Sequence, residues 1–473
     1  MEDWKRDMVL AANHGIDAFA LNFGRDDWQR QRLDDAYAAA LELSHGPWGL
    51  ADNTANNTTP TDTPSSEGGN ACANSTAPCI SVEAGLVSTN AFSNATVPDS
   101  DAHSCTAKPI PFKLFLSLDM SSLPCASDAD VAALQALVER YAAHPAQLLH
   151  NGTGRAVLST FAGDACAFGQ AGWARVAKGS GAWFVPAFFG DVRSWAGWDA
   201  VNGGFNWNAA WPTGKFNVTW DPDAAWRSAL NVSGKQKAYM APVSPWFFTH
   251  FGQNTYNKNW IYRGDEWLLA ARWDILIAHR DQVDIVQIVS WNDYGESHYV
   301  GPIEGALPAG SEAWTNGFEH TAWLKMMEYY IAAFKTGTYP DVHEDHVFLW
   351  ARLDPANANA SKDGVGKPRN WEWTEDYLWA VIFLTAPANV TLYCTPGPTQ
   401  NETQLLPQGV SQVKLALIDP GADVSADGRC AMGAEIWRAE TKVLAFQPEG
   451  MRFGSRNGNE VENYNFNAFV AGT

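Results

Sequence analysis

Lys113-Leu-Phe-Leu-Ser-Leu-Asp-Met120, residues 128–142 and Ala156-Val-Leu-Ser-Thr-Phe161 decide the fold class. Two short apolar runs bracket a segment whose apolar residues recur at helical spacing. A strand apolar on both faces belongs in a parallel sheet covered on both sides, and the intervening helix is one cover. The alternation continues outward. On one side lie a helix over 3–14 (Trp4, Met8, Val9, Ala12), the strand Gly15-Ile-Asp-Ala-Phe-Ala-Leu-Asn22 and a helix over 27–43. On the other lie a strand at 183–189, an extended piece at 204–207, a helix at 222–230 and a strand at 238–243. A helix at 265–279, a strand at 285–291 and a helix at 318–335 follow. This many βα units in one run predict a (β/α)₈ barrel rather than a doubly wound sheet. Seven strands are visible; the strand that should precede the first helix is expected upstream of Glu2.

Past residue 340 the rhythm changes to short strands at 347–352, 378–384, 390–393, 413–417, 434–437 and 443–446, separated by Gly, Pro, Asn and Asp. This predicts an antiparallel β-sandwich. The expected organisation is a catalytic barrel over 1–338 and an accessory sandwich over 339–473. Residues 50–107, rich in Asn, Thr, Ser, Ala, Pro and Gly and without Lys or Arg, read as a low-complexity surface insertion in the barrel.

With 32 Lys and Arg against 52 Asp and Glu, the net charge of −20 excludes a phosphate-backbone ligand and disfavours anionic membranes. No apolar run approaches the ~20 residues that span a bilayer. Sequons at Asn56, Asn57, Asn74, Asn94, Asn151, Asn217, Asn231, Asn359, Asn389 and Asn401 point to a secreted or wall-associated glycoprotein. Met1-Glu-Asp-Trp-Lys-Arg lacks an apolar leader, so the signal is also expected upstream. Of seven cysteines, Cys394 with Cys430 and Cys125 with Cys166 are the expected disulfides; Cys72, Cys79 and Cys105 cannot all pair with each other.

There is no nucleophile elbow, dinucleotide fingerprint or Walker loop. His343-Glu-Asp-His346 has the wrong spacing for a helical zinc pair. Barrel enzymes place their chemistry at the C-terminal ends of strands. The last strand runs into Ser290-Trp-Asn-Asp-Tyr-Gly-Glu-Ser-His-Tyr299, where Asp293 and Glu296 lie among aromatics. Asp119 and Asn22 end two other strands. Two or three carboxylates beside Trp and Tyr suit glycoside hydrolysis, which needs one protonated acid and one ionised base. Gly295 is expected to allow a sharp turn that aims both carboxylates at one cleft. The candidate catalytic residues are Asp293, Glu296 and Asp119. The candidate sugar contacts are Asn22, Trp246, His250, Trp260, Trp291, Asn292, Tyr294, His298 and Tyr299. Glu296 is expected as the general acid, with a pKa raised toward about 6 by its aromatic surroundings. Asp293 is the expected base, and Asp119 as base is the variant. For inversion the two carboxyls should stand about 6.5–9.5 Å apart.

These stretches, with Ser159-Thr-Phe-Ala-Gly163, Ala241-Pro-Val-Ser-Pro-Trp-Phe-Phe-Thr-His250, Asn257-Lys-Asn-Trp260 and Gly301-Pro302, resemble glycoside hydrolase family 71, the fungal α-1,3-glucanases or mutanases. The resemblance implies endo-type, inverting hydrolysis of α-1,3-glucan on a barrel with an accessory β-sandwich. It maps the family's acidic pair onto Asp293 and Glu296, and a further Asp onto Asp119. It implies a glucan partner and no metal or organic cofactor; the chain is expected to be a monomer. Two other readings stay open: a barrel glycosidase on another wall glycan, and a catalytically impaired glycan-binding wall protein.

Overall fold

The structure, a computed structural model, describes residues 1–45, 109–305, 307–397, 401–420, 427–455 and 460–473. The expected insertion at 50–107, with Cys72, Cys79, Cys105 and its sequons, lies outside the described residues.

Seven parallel strands follow one another in chain order: Ala18–Phe23, Lys113–Asp119, Val157–Phe161, Trp183–Phe184, Gly203–Phe205, Ala238–Val243 and Ile285–Ile288. The first four are paired in sequence, as are the last three. Asn202 N–H to the Phe184 carbonyl (2.8 Å) and Phe205 N–H to that of Pro186 (2.9 Å) join the two groups. The backbone pairing of the fourth strand continues past Pro186, through Val185 N–H to the Leu158 carbonyl (2.9 Å) and Ala187 N–H to that of Thr160 (3.1 Å). The last strand and the first are not paired with each other among the described residues. The ring of Trp291 lies 5.0 Å from that of Phe19 on that side.

The helices cover the array with one apolar stripe each. In Asp128–Ala142 the buried residues are Val131, Leu134, Leu137, Val138 and Tyr141, at three- and four-residue spacing. Ser127 and Asp130 start this helix with a reciprocal capping box. Between the helices Asp221–Ala229 and Leu268–Ala278 and the strands, Arg272 clamps Asp223 through two hydrogen bonds of 2.6 Å, and Tyr239 donates a third to the same carboxylate. The two disulfides are Cys125–Cys166 and Cys394–Cys430, each with Cα atoms 5.2 Å apart. Spanning 41 and 36 residues, each restricts the unfolded chain by roughly 4 kcal/mol.

The C-terminal part contains two antiparallel sheets. One orders Gly409–Ala416, Tyr377–Leu384, His346–Ala351 and Phe469–Gly472; the other orders Asn401–Leu406, Ala388–Thr395, Cys430–Arg438 and Thr441–Phe446. Leu349, Ala380 and Ile382 meet Val390, Met432 and Ile436 between them. The other face of the first sheet is also buried: Trp350, Trp379 and Phe383 share a core with Trp323, Met326 and Met327 of the helix Thr321–Thr336. This double cover explains why Tyr377–Leu384 carries almost no polar alternation although its sheet is antiparallel. Asn401–Leu406, exposed at all but its last residue, escaped the sequence reading because it has no apolar face.

Candidate active site

After the seventh strand the chain tightens into a single turn, Tyr294–Glu296, capped by Asp293. Asp293 Oδ1 accepts from the Glu296 N–H at 3.0 Å, and Ser290 Oγ accepts from the Asp293 N–H at 2.9 Å. The left-handed residue that reverses the chain is Ser297 (φ 60°), not Gly295. At Gly295 space is tight: a Cβ there would stand 3.2 Å from the Phe251 ring, which would have to shift by a few tenths of an ångström.

Two cationic or proton-donating groups converge on Glu296. Lys258 Nζ lies 2.8 Å from Oε1 and His298 Nε2 lies 3.1 Å from Oε2. The far nitrogen of His298 faces Ser290 Oγ at 2.9 Å. An ionised Glu296 can only accept, so His298 Nε2 is the donor of that hydrogen bond. The Trp211 and Phe247 rings, each 5.7 Å from the imidazole, hold it in place.

The two carboxyls are driven apart in proton affinity. Burial, and then the charge of Glu296, raises Asp293 above the ordinary range. Burial also acts to raise Glu296, but the His298 hydrogen bond and the Lys258 charge outweigh it and hold this carboxyl down at about 2. The expectation of a raised Glu296 is therefore overturned, because the polar partners of Glu296 override its aromatic surroundings. The expected separation also fails: a carboxylate oxygen of Asp293, one of Glu296 and a His298 nitrogen lie within 4.8 Å of one another. Three such donors could hold a small cation, but the ammonium of Lys258 already supplies the positive charge on this cluster.

Asp119 ends the second strand and accepts from Ser121 N–H at 3.0 Å and from the Ser122 hydroxyl at 3.2 Å. The charges of Glu296, Asp293 and Asp119 all act on Lys258, so the three candidate carboxylates share one electrostatic centre. Asn22 and Asn292 are exposed, and Trp260 is half-buried with the Arg369 guanidinium 5.5 Å over its ring. Other candidates are not placed to touch sugar. Trp246 is 3% exposed and donates to the Phe466 carbonyl; Tyr294 donates to that of Pro302, and Tyr299 to that of Phe318. All three are core residues whose polar ends are satisfied internally. Trp291 is half-buried against Phe19 and Gly301. His250 is bound between Asn259 Oδ1 (2.8 Å) and Asp363 Oδ2 (2.9 Å), fastening a hairpin to the C-terminal part. Phe161, Phe189 and Trp207, missed in the sequence, form a partly exposed aromatic group at strand ends, with Phe161 5.0 Å from each of the other two. Their only sequence signal was their position as the last residues of the expected extended segments 156–161, 183–189 and 204–207.

Carboxylates of opposite proton affinity, set where parallel strands end and beside open aromatic rings, define a glycoside hydrolase. The chain belongs to glycosyl hydrolase family 71, whose model matches residues 1–45 and 91–473. It is 33% identical to the glucan endo-1,3-alpha-glucosidase agn1 of Schizosaccharomyces pombe, over 88% of this chain and 81% of that one. It is 28% identical to a mutanase of Penicillium rubens (92% and 80% covered) and 26% identical to the ascus wall endo-1,3-alpha-glucanase of S. pombe (98% and 92%).

Proposed function

We propose that this glycosidase hydrolyses α-1,3-glucosidic bonds within glucan chains, with inversion at the anomeric carbon. The observation that carries the mechanism is the split between Asp293 and Glu296. Asp293, with its raised proton affinity, keeps a proton to give to the leaving oxygen. Glu296 stays ionised under Lys258 and His298 and provides a fixed negative charge next to the oxocarbenium-like transition state. These two carboxyls approach within 4.8 Å, whereas an inverting pair needs about 6.5–9.5 Å for the intervening water. The water-activating base is therefore Asp119, which reaches the cleft from another strand. Phe161, Phe189, Trp207 and Trp260 offer ring faces for glucose units.

On this reading the seven strands act as a barrel, residues 1–338 form the catalytic unit and residues 339–473 buttress it. The enzyme works as a monomer outside the cell on wall glucan; the name of the ascus wall relative and the disulfides support that location. No described helix is long and apolar enough to cross a membrane.

Reducing-sugar release from insoluble α-1,3-glucan tests the proposal, with β-1,3-glucan and the variants Asp293→Asn and Asp119→Asn alongside. Release from the α-glucan alone, falling by about 10²-fold or more in each variant, is expected. Release from the β-glucan instead, or full activity in Asp293→Asn, would overturn it.

A further inference from the structure

We infer that Lys258 is a positioning residue of the reaction: a hairpin brings its ammonium among Asp119, Asp293 and Glu296, where, beside His298, it holds Glu296 ionised. The inference rests on the hydrolase reading above.

The hairpin consists of Phe248–His250 and Asn259–Ile261, paired antiparallel with His250 opposite Asn259. Its tip closes through Asn257 N–H to the Gly252 carbonyl (3.0 Å), with Asn257 left-handed at φ 51°, a conformation Asn tolerates well. Phe251 N–H donates to the Lys258 carbonyl at 2.6 Å, so the lysine backbone is fixed before its side chain leaves the hairpin. The back of the hairpin is held by residues 363–369 of the C-terminal part. His250 meets Asp363, Asn259 Nδ2 donates to the Gly366 carbonyl (3.0 Å), and Ile261 N–H donates to the Arg369 carbonyl (3.1 Å). A segment far along the chain thus sets where Lys258 stands.

The groups around the ammonium come from three elements. The turn supplies Asp293, Glu296 and His298, the second strand supplies Asp119, and Tyr262 continues the hairpin, with Arg369 acting on it. Lys258 bonds Glu296 directly and reaches Asp293 and Asp119 through its field. Its side chain is 45% exposed, so the attraction is that of a partly screened pair. Burial alone would drive the Lys258 ammonium toward neutrality, but the three carboxylates reverse this and raise its affinity for the proton.

The test is the pH dependence of kcat/KM on a soluble α-1,3-gluco-oligosaccharide for the wild type, Lys258→Met and Lys258→Arg. Removing a cation from among carboxylates raises their proton affinities together. In Lys258→Met both limbs of the profile therefore move to higher pH, by on the order of one unit. Lys258→Arg keeps them in place. A loss of rate with the limbs unmoved would show that Lys258 only braces the hairpin, and would overturn the inference. A second measurement does not depend on the substrate. The carboxyl ¹³C titration of Glu296, assigned by difference from Glu296→Gln, has its midpoint raised in Lys258→Met; an unchanged midpoint overturns the inference. A wild type inactive on α-1,3-glucan would sink the hydrolase reading, while this titration still decides the role of Lys258.

Discussion

Neutralising Asp293 and Glu296 one at a time moves the melting temperature in opposite directions. Glu296 is the stabilising member. Its carboxyl falls from 4.5 in its ordinary state to about 2 in the fold, a difference of ~3 kcal/mol at neutral pH. A depressed carboxyl contributes stability that is fully present above the unfolded value and lost as the pH falls through the folded one. Glu296→Gln removes that contribution and leaves Lys258 and His298 with weaker acceptors. Asp293 then ionises more readily and takes over part of the compensation, so the net loss is about 1–3 kcal/mol. For a chain of 473 residues the unfolding entropy is about 1 kcal/mol per degree, which makes the expected fall about 1–3 °C. Asp293→Asn acts in the other sense: it removes a carboxyl whose charged form is disfavoured by burial and by Glu296, and it raises the melting temperature at pH 7. Differential scanning calorimetry from pH 3 to 8 reads both. The Glu296→Gln deficit shrinks toward the acid end of the range. A shift of the same sign in both variants, or a Glu296→Gln deficit independent of pH, would refute the assignment of the proton to Asp293.

Three further outcomes follow from other parts of the molecule. Arg272→Met strands the fully buried Asp223 charge and costs about 3–5 kcal/mol by urea denaturation, while adding Asp223→Asn restores a large share of it. Asp7 is pushed up to about 7 by burial and the Glu304 charge. The folded state therefore holds an extra proton between its ordinary value and 7, and stability declines as the pH rises through that window. Asp7→Asn should be more stable than the wild type by about 1–3 kcal/mol at pH 8, after allowance for partial exposure, and no more stable at pH 4. Asn151, Asn217, Asn231, Asn359, Asn389 and Asn401 are all exposed. Secreted from a eukaryotic host, the chain should lose mass on peptide-N-glycosidase treatment, and Asn→Gln at an occupied site should remove one step of that loss.

What the sequence discloses depends on whether a feature is local. The helix Asp128–Ala142 and the strand Ala238–Val243 were legible to within a residue, because capping, periodicity and apolar runs act over a few positions. Both disulfides were legible from cysteines placed after strands and within one region. Asp293 and Glu296 were found because they follow a strand at close spacing. The lowered proton affinity of Glu296 was not legible, because one of the groups that lowers it, Lys258, is 38 residues away and meets Glu296 only through the fold. Trp246, Tyr294 and Tyr299 looked like sugar contacts beside the carboxylates; only packing shows that their rings are covered. The placement of Lys258 depends on residues 363–369, and no local pattern in either segment announces that contact.

The most direct test of the account is the proton NMR spectrum of fresh product as the wild type cleaves a soluble α-1,3-gluco-oligosaccharide. The account predicts that the β-anomer appears first and then mutarotates, as attack by a water activated at Asp119 requires. The α-anomer appearing first, or no cleavage of this linkage, would contradict it.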